Sequence, residues 1–190
     1  MAAAVTVSFP HQVVTFSYVE DFWAVYNHIE LASRLAASCD YSVFKNGVKP
    51  MWEDSHNSSG GRWVINLDKK LRLSTLDNIW IEVLMSMIGE SFGEDGTIVN
   101  GAVVSIRNRG DKIGGNCIHS ELTIVPIFTL PFILFAAIWL GNAKLASSVM
   151  HVGKELKSRL GFGNDIMLSF EAHEDTMMKS GSTAKSRYTV

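Results

Sequence analysis

The chain has 190 residues, 47% hydrophobic and 19% charged, which predicts one globular domain over 1–190 with a sizeable core. A formal net charge of -2 at pH 7 excludes a protein coated in cations, so any nucleic-acid contact has to come from a local patch. The two cysteines form no disulfide framework and the first residues lack the features of a secretory signal, which indicates a reducing intracellular compartment.

Three helices are predicted, each from apolar residues at helical spacing that follow a capping residue. They run from about Val19 to Ala37 after a Ser17/Glu20 capping box, from Ser74 or Thr75 to a stop at Gly89, and from Ser147 or Ser148 to Leu160 with Gly161 as the C-terminal cap.

Short alternating runs between and after these helices predict strands. They are "YSVFK", "RWVINL", "AVVSIR", "IWLG" and "DIMLSF", with turns at Asn46-Gly47 and Arg109-Gly110-Asp111 and a flexible loop at "EDSHNSSGG". The short connections favour an α+β fold, an antiparallel sheet with helices on one face.

No phosphate-binding glycine loop, zinc spacing or Ser/His/Asp arrangement is present, so we expect a binding protein without a cofactor and not an enzyme. The pair Trp52-Glu53 follows Pro50 before a polar loop. An indole can stack on a base, and a carboxylate can accept hydrogen bonds from the Watson–Crick edge of guanine. The alternative is a core tryptophan beside a solvated carboxylate, and the dipeptide alone favours that interpretation.

A cluster of cations is predicted further along the chain. Arg107 and Arg109 are two residues apart on one strand and share a face, and Lys112 follows the turn. Three cations at the rim of a sheet suit a chain of phosphates, and a solvated hairpin tip is the alternative.

Longer segments resemble one family in order along the chain. They are "VEDFWAVYNHIELAS", "CDYSVFKNGVKPMWED", "GGRWVIN", "IWIEVLMSMIGESF", "GAVVSIRNRGDKI", "HVGKELKSRLG" and "HEDTMMKSGSTAKSRYTV". Together they resemble the eukaryotic translation initiation factor 4E family, which binds the 7-methylguanosine cap of messenger RNA. The resemblance implies a curved antiparallel sheet with three helices packed on its convex face and the cap in the concave face.

The resemblance also implies roles for individual residues. Trp52 would stack on the methylated base, Glu53 would read its guanine edge, Trp139 would line the pocket for the methyl group, Lys179 would close over the cap, and Arg107, Arg109 and Lys112 would hold the triphosphate. The surface for the 4G scaffold and for 4E-binding repressors would be formed by Val19, Trp23, Ile81, Glu82 and Met85. The implied function is recruitment of capped mRNA to the ribosome, in the cytoplasm and with a nuclear pool as a further expectation.

The N-terminus departs from the family pattern. Residues 1–18 are divergent and contain no tryptophan, although the family holds the base between two tryptophans and places the first one upstream of "VEDFW". We therefore expect an N-terminal strand and one stacking ring to be missing, and a lost stack of roughly 1–3 kcal/mol weakens cap binding by about one to two decades. The alternative function is a cap-binding-impaired isoform that competes for protein partners or regulates translation.

The second departure is an apolar insertion. In the family "GDKI" runs directly into "AIW", so 114–136 is predicted to be inserted. The run from Glu121 to Gly141 is long enough to cross a bilayer, but a crossing would split one sheet, and we expect no stable membrane insertion. We interpret the segment as translated intron, and the alternative is a true isoform. Transcript reads that always join "DKI" directly to "AIW" would support the intron interpretation. Abundant unspliced reads would support a true isoform.

Overall fold

The fold is built on one antiparallel sheet. The computed structural model describes residues 3–7, 12–36, 39–67, 72–108, 132–161, 166–177 and 186–190. The strands within this part are β1 Ala3–Val7, β2 Gln12–Phe16, β3 Asp40–Lys45, β4 Gly61–Leu67, β5 Val99–Asn108, β6 Phe132–Leu140, β7 Leu168–Ala172 and β8 Tyr188–Thr189. Their order across the sheet is β2-β1-β3-β5-β6-β4-β7-β8, and every neighbouring pair is antiparallel.

Helices cover one face of this sheet. They are α1 Val19–Tyr26, α2 Arg72–Ile88, α3 Ala146–Leu160 and the short α4 His173–Met177. The predicted α+β class is confirmed, as are the stop of α2 before Gly89 and the cap of α3 at Gly161, where φ is 68°. The helix α2 begins at Arg72, a little before the predicted Ser74 or Thr75.

The core lies between the helices and the inward-facing residues of the strands. Trp63 of β4 is fully buried there, and its indole Nε1 donates to the carbonyl oxygen of Val149 on α3 at 2.9 Å. The helix can approach so closely because Gly153 has no Cβ, which would otherwise collide with the Trp63 ring. This contact ties α3 to the centre of the sheet and fixes the strands that carry the site.

The first helix is shorter than the predicted span of Val19 to Ala37. It ends at Tyr26, its capping residue is Tyr18 and not Ser17, and Leu31 is extended with φ -61° and ψ 143°. A 3-10 turn follows at Ala32–Arg34. There the Ser33 amide and hydroxyl donate to the two carboxylate oxygens of Asp77 at 2.8 and 2.6 Å, so a tertiary contact takes the place of further helical hydrogen bonds.

The prediction that the N-terminal strand is missing is wrong. Residues 3–7 form β1, which pairs with β2 on one side and with β3 on the other. Three of these five residues, Val5, Thr6 and Val7, are β-branched, which favours a strand, and backbone pairing does not require the family's tryptophan motif.

The predicted insertion at 114–136 overlaps strand β6. Pairing of β5 with β6 runs from Asn108↔Phe132 through Val104↔Ala136 to Val99↔Leu140, so the last five residues of the predicted insertion lie in the sheet. "IWLG" therefore forms only the end of a longer strand, whereas the other predicted strands begin and end close to their expected positions. Residues 114–131 fall outside the described part of the chain. In the described part, no helix is long and apolar enough to cross a membrane.

Candidate functional site

The face of the sheet opposite the helices carries the candidate site. We call it the open face, and its apolar centre consists of Phe44, Val64, Val103, Ala137 and Trp139. Strand pairing places one residue from each of five strands in a row across this face: Phe44, Gly101, Trp139, Arg62 and Glu171. Gly101 leaves room for the Phe44 ring, which a Cβ at that position would strike. The Phe44 ring meets Trp139 edge to face, with centroids 5.6 Å apart.

Trp139, predicted to line the methyl pocket, lies at the centre of this row. Its ring is nearly buried and packs against the ring of His173, the first residue of α4, with centroids 4.6 Å apart and a tilt of 43°. The Trp139 Nε1 and His173 Nε2 atoms are buried and have no hydrogen-bond partner among the described residues. Burial, as the larger cause, and the nearby Arg62 guanidinium together lower the pKa of His173 to about 4, so the imidazole is neutral at pH 7.

Trp52 and Glu53 lie together in the connection between β3 and β4. Both are exposed, and 39% of the Trp52 surface is accessible. The interpretation of Trp52 as a core anchor is therefore wrong for this fold. Its indole is available for a flat ligand.

The loop that carries this pair is predicted to be flexible from its sequence, whereas the structure shows consecutive turns held by buried amides. Asn57 is fully buried, and its Nδ2 donates to the carbonyl oxygens of Lys49 and Met51 at 2.8 and 2.9 Å. Asn100 of β5 donates to the Asn57 Oδ1 atom at 2.9 Å and to the His56 carbonyl oxygen at 2.7 Å. The amides thus attach both sides of the loop to the beginning of β5.

A carboxylate gives the loop a second anchor. Asp54 accepts hydrogen bonds from the backbone amides of Lys49 and His56 and contacts the His56 ring at 2.9 Å. Burial alone would raise the pKa of Asp54, but these hydrogen bonds outweigh it and hold the pKa below the usual value. Gly60 closes the loop against β6, where a Cβ would collide with the Leu140 carbonyl oxygen, one residue after Trp139.

Of the predicted phosphate cluster the structure describes only Arg107, because Arg109 and Lys112 lie outside the described residues. Lys179, which was predicted to close over the cap, also lies outside them. Arg107 is on the open face and is not a solvated hairpin tip. Its two terminal nitrogens contact the two carboxylate oxygens of Asp40 on β3, each at 2.5 Å. The Asp40 carboxylate therefore holds the Arg107 guanidinium in one orientation and balances its positive charge.

A second guanidinium on this face was missed by the sequence interpretation. Arg62 of β4 makes a fork with Glu171 of β7 through its Nε and a terminal nitrogen, at 3.1 and 3.0 Å. Both side chains are about 80% buried. The alternation of "GRWVINL" around the buried Trp63 places Arg62 on the opposite face, which is the sequence signal that could have identified it.

The predicted partner surface lies on α1 and α2. Val19 and Trp23 are one turn apart on α1 and exposed, at 48% and 37%. On α2, Ile81 and Met85 are one turn apart and half-buried, and Glu82 contacts Arg159 of α3 at 3.9 Å. Since Phe22 and Leu84 line one small cavity, the two helices are neighbours.

Metal binding has no support in the described part of the chain, where no group of three or more His, Cys, Asp or Glu side chains could hold an ion. The loop between β3 and β4 offers an exposed indole and an exposed carboxylate, and the open face offers two guanidiniums that are paired with carboxylates. Such a combination suits a planar, hydrogen-bonding and partly charged ligand.

Comparison with known proteins gives a consistent result. The model of the family "Eukaryotic initiation factor 4E" matches residues 8–115. The Xenopus laevis eukaryotic translation initiation factor 4E is 45% identical over 175 residues, which cover 92% of this chain and 71% of that protein. The human type 1B protein is 43% identical over 180 residues, which cover 95% of this chain and 65% of that protein.

Solved structures agree with the sequence relatives. The Ascaris suum eIF4E-3, solved with an m2,2,7G cap, has a TM-score of 0.81 and 32% identity, covering 100% of this chain and 95% of that one. The C. elegans eIF4E-3, solved with the 4E-binding protein Mextli and a cap analog, has a TM-score of 0.79 and 30% identity, covering 100% of this chain and 96% of that one.

Proposed function

The chain belongs to the eukaryotic initiation factor 4E family, and on that premise we propose that it binds the 7-methylguanosine cap of mRNA and recruits the 4G scaffold for ribosome loading. The observation that carries this proposal is the exposed Trp52-Glu53 pair, on a loop that buried amides attach to Asn100, the residue before the strand partner of Trp139. Binding, without catalysis, is the activity proposed.

Recognition of the base follows from the chemistry of this pair. Methylation at N7 makes the guanine ring cationic, so stacking on the Trp52 indole gains a cation–π attraction that unmethylated guanine lacks. The Glu53 carboxylate accepts hydrogen bonds from the imino and amino donors of guanine, and its negative charge favours the cationic ring. Trp139 lines the position of the methyl group.

The phosphates are assigned to the cations. Arg107 is the described member of the set, and we propose that Arg109 and Lys112 continue the contact along the phosphate chain while Lys179 closes over the cap. A guanidinium suits this role because its planar donors can contact two oxygens of one phosphate.

The test is calorimetric titration with 7-methyl-GTP, with unmethylated GTP as the reference. A Glu53→Gln variant keeps the size of the side chain and loses its charge, so we expect affinity for the methylated ligand to fall about 10- to 100-fold, as for a charged hydrogen bond of about 1.5–3 kcal/mol. Glu94→Gln makes the same change at another exposed carboxylate and should leave affinity unchanged. Equal affinity of the unmodified chain for both nucleotides would refute cap recognition.

Protein partners are assigned to the helical face. We propose that the exposed Val19 and Trp23, with Ile81, Glu82 and Met85, receive the scaffold and 4E-binding repressors. The solved C. elegans relative is itself bound to a 4E-binding protein. A cytoplasmic location, with a nuclear pool, and no membrane insertion complete the proposal.

A partner-binding competitor is the second candidate function. It is favoured by one observation, the absence of any tryptophan from residues 1–22, the region where the family has its first stacking tryptophan. Retention on cap resin and binding of a 4E-binding peptide, measured on the same sample, separate the two functions. Peptide binding without cap retention would favour the competitor.

A further inference from the structure

Three charged side chains meet where α2 packs beside α3, at the border of the proposed partner surface. Glu82 lies on α2, and Glu155 and Arg159 lie one turn apart on α3. The Arg159 Nε atom donates to the Glu155 carboxylate at 2.9 Å, whereas a terminal nitrogen of Arg159 is 3.9 Å from the Glu82 Oε1 atom. We call these three residues the triad.

The two distances in the triad describe different interactions. A separation of 2.9 Å is a hydrogen bond, whereas 3.9 Å exceeds hydrogen-bonding range and leaves only the attraction between the charges. The guanidinium is therefore oriented by Glu155, its neighbour on the same helix. Arg159 also lies in the last turn of α3, where the helix dipole favours a cation. Both effects hold Arg159 on α3 and keep it from closing over the Glu82 carboxylate.

The Glu82 carboxylate keeps its capacity to accept hydrogen bonds. Its side chain is 37% exposed, and its oxygens receive no hydrogen bond from the described part of the chain. Two carboxylates and one guanidinium leave one negative charge of the triad unbalanced. Because opposite charges at an interface attract, the triad suits a further cation supplied by a bound protein.

We propose that Glu155 is a positioning residue of the partner surface, which holds Arg159 on α3 and so leaves the Glu82 carboxylate free for a basic side chain of the partner. The partner class is a 4E-binding segment with a lysine or arginine that reaches the border between α2 and α3. This inference rests on the proposed function, which assigns Glu82 to protein partners. Without the Glu155 charge, Glu82 is the carboxylate left beside the guanidinium, so Arg159 would turn onto it and repel the incoming cation.

The experiment measures binding of a fluorescent peptide from the 4E-binding protein Mextli to the full chain, by fluorescence polarisation at low salt. Arg159→Gln removes the competing guanidinium and should strengthen binding by about two- to fivefold. Glu155→Gln releases Arg159 towards Glu82 and should weaken binding by a similar factor. Both differences should shrink at high salt, because these side chains are partly exposed.

A double variant separates positioning from a direct effect of charge. If Glu155 acts through Arg159, then Glu155→Gln should change affinity less than about twofold once Arg159→Gln is already present. The peptide supplies a second readout, in which its lysines and arginines are replaced by glutamine one at a time. With the peptide cation that meets Glu82 removed, Arg159→Gln should no longer strengthen binding.

Two variants control for net charge. Lys154→Gln removes a cation from an exposed position of α3, and Glu94→Gln removes an exposed carboxylate. Each should change peptide affinity less than about twofold, the range expected for distant surface charges. Thermal unfolding of every variant shows that it is folded.

The outcomes separate this inference from the function on which it rests. Weaker or unchanged binding in Arg159→Gln, unchanged binding in Glu155→Gln, or the same loss from Glu155→Gln with and without Arg159 would overturn the role of Glu155 while partner binding stands. An unmodified chain that binds no 4E-binding peptide would overturn both.

Discussion

Replacing Asn57 by alanine tests whether the loop that presents Trp52 and Glu53 is held by buried amides. The side chain is fully buried and makes three hydrogen bonds, to the carbonyl oxygens of Lys49 and Met51 and from the Nδ2 of Asn100. Alanine fills none of these roles and leaves the two carbonyl oxygens without that donor.

The magnitude follows from the number of bonds lost. At about 1 kcal/mol for each hydrogen bond, the free energy of unfolding should fall by about 3 kcal/mol. Asn78→Ala is the matched control, since Asn78 is exposed on α2 and its replacement should change stability by less than about 0.5 kcal/mol.

Urea denaturation followed by fluorescence measures the difference, provided that the dependence of stability on urea is the same in both variants. Calorimetry with 7-methyl-GTP on the folded variant measures the second effect. The apparent affinity should fall in proportion to the fraction of molecules in which the loop keeps its native conformation, because only that conformation presents Trp52 to the base. Asn57→Ala with the stability of the Asn78→Ala control, or with unchanged affinity, would refute this account of the loop.

Three further results are expected. The pKa of His173 is lowered from 6.5 to about 4 in the folded chain, so the unfolded chain binds the proton first as the pH falls. The free energy of unfolding should therefore have its full value above about pH 6.5 and be lower by about 3 kcal/mol at pH 4. Urea denaturation at a series of pH values measures this dependence, which should disappear in His173→Phe. In Gly60→Ala the new Cβ would collide with the Leu140 carbonyl oxygen, so the free energy of unfolding should fall by about 1–3 kcal/mol and the melting temperature with it. In Gly96→Ala the Cβ meets only ordinary contacts, and thermal unfolding should show an unchanged melting temperature. Trp23→Ala should weaken a 4E-binding peptide by about 2 kcal/mol in a fluorescence-polarisation assay without changing cap affinity, and equal losses for both ligands would contradict separate surfaces.

The sequence predicts elements best where the determinants are local. The end of α3 is an example, because its apolar spacing, its basic last turn and the left-handed Gly161 all lie within a few residues of one another. The first helix shows the limit of the method. Its apolar spacing continues after Tyr26, but Ser33 binds Asp77, 44 positions away in the chain, and no local pattern indicates this contact.

The candidate site divides in the same way. Trp52, Glu53 and Trp139 are identified from short motifs, and their exposure and neighbours are consistent with the roles proposed for them. The ion pairs Arg62–Glu171 and Asp40–Arg107 join residues 109 and 67 positions apart. They depend on which strands become neighbours, and the sequence interpretation predicted the strands without their order in the sheet.

The pairing of charges on the open face bears on how a site with one predicted stacking tryptophan could still select its ligand. Both described guanidiniums are shared with carboxylates, so phosphate binding is a weak source of discrimination between methylated and unmethylated nucleotides, which carry the same phosphates. The base differs in charge, and Glu53 is an exposed carboxylate beside the Trp52 indole. Since carboxylate and indole both favour a cationic ring, Glu53 and Trp52 supply methyl selectivity, whereas a site without a second indole stack has lower affinity and also lacks the cation–π contribution of that stack. Methyl selectivity in this chain should therefore depend mainly on the Glu53 carboxylate and the Trp52 indole, and replacement of either should lower the ratio of the two affinities.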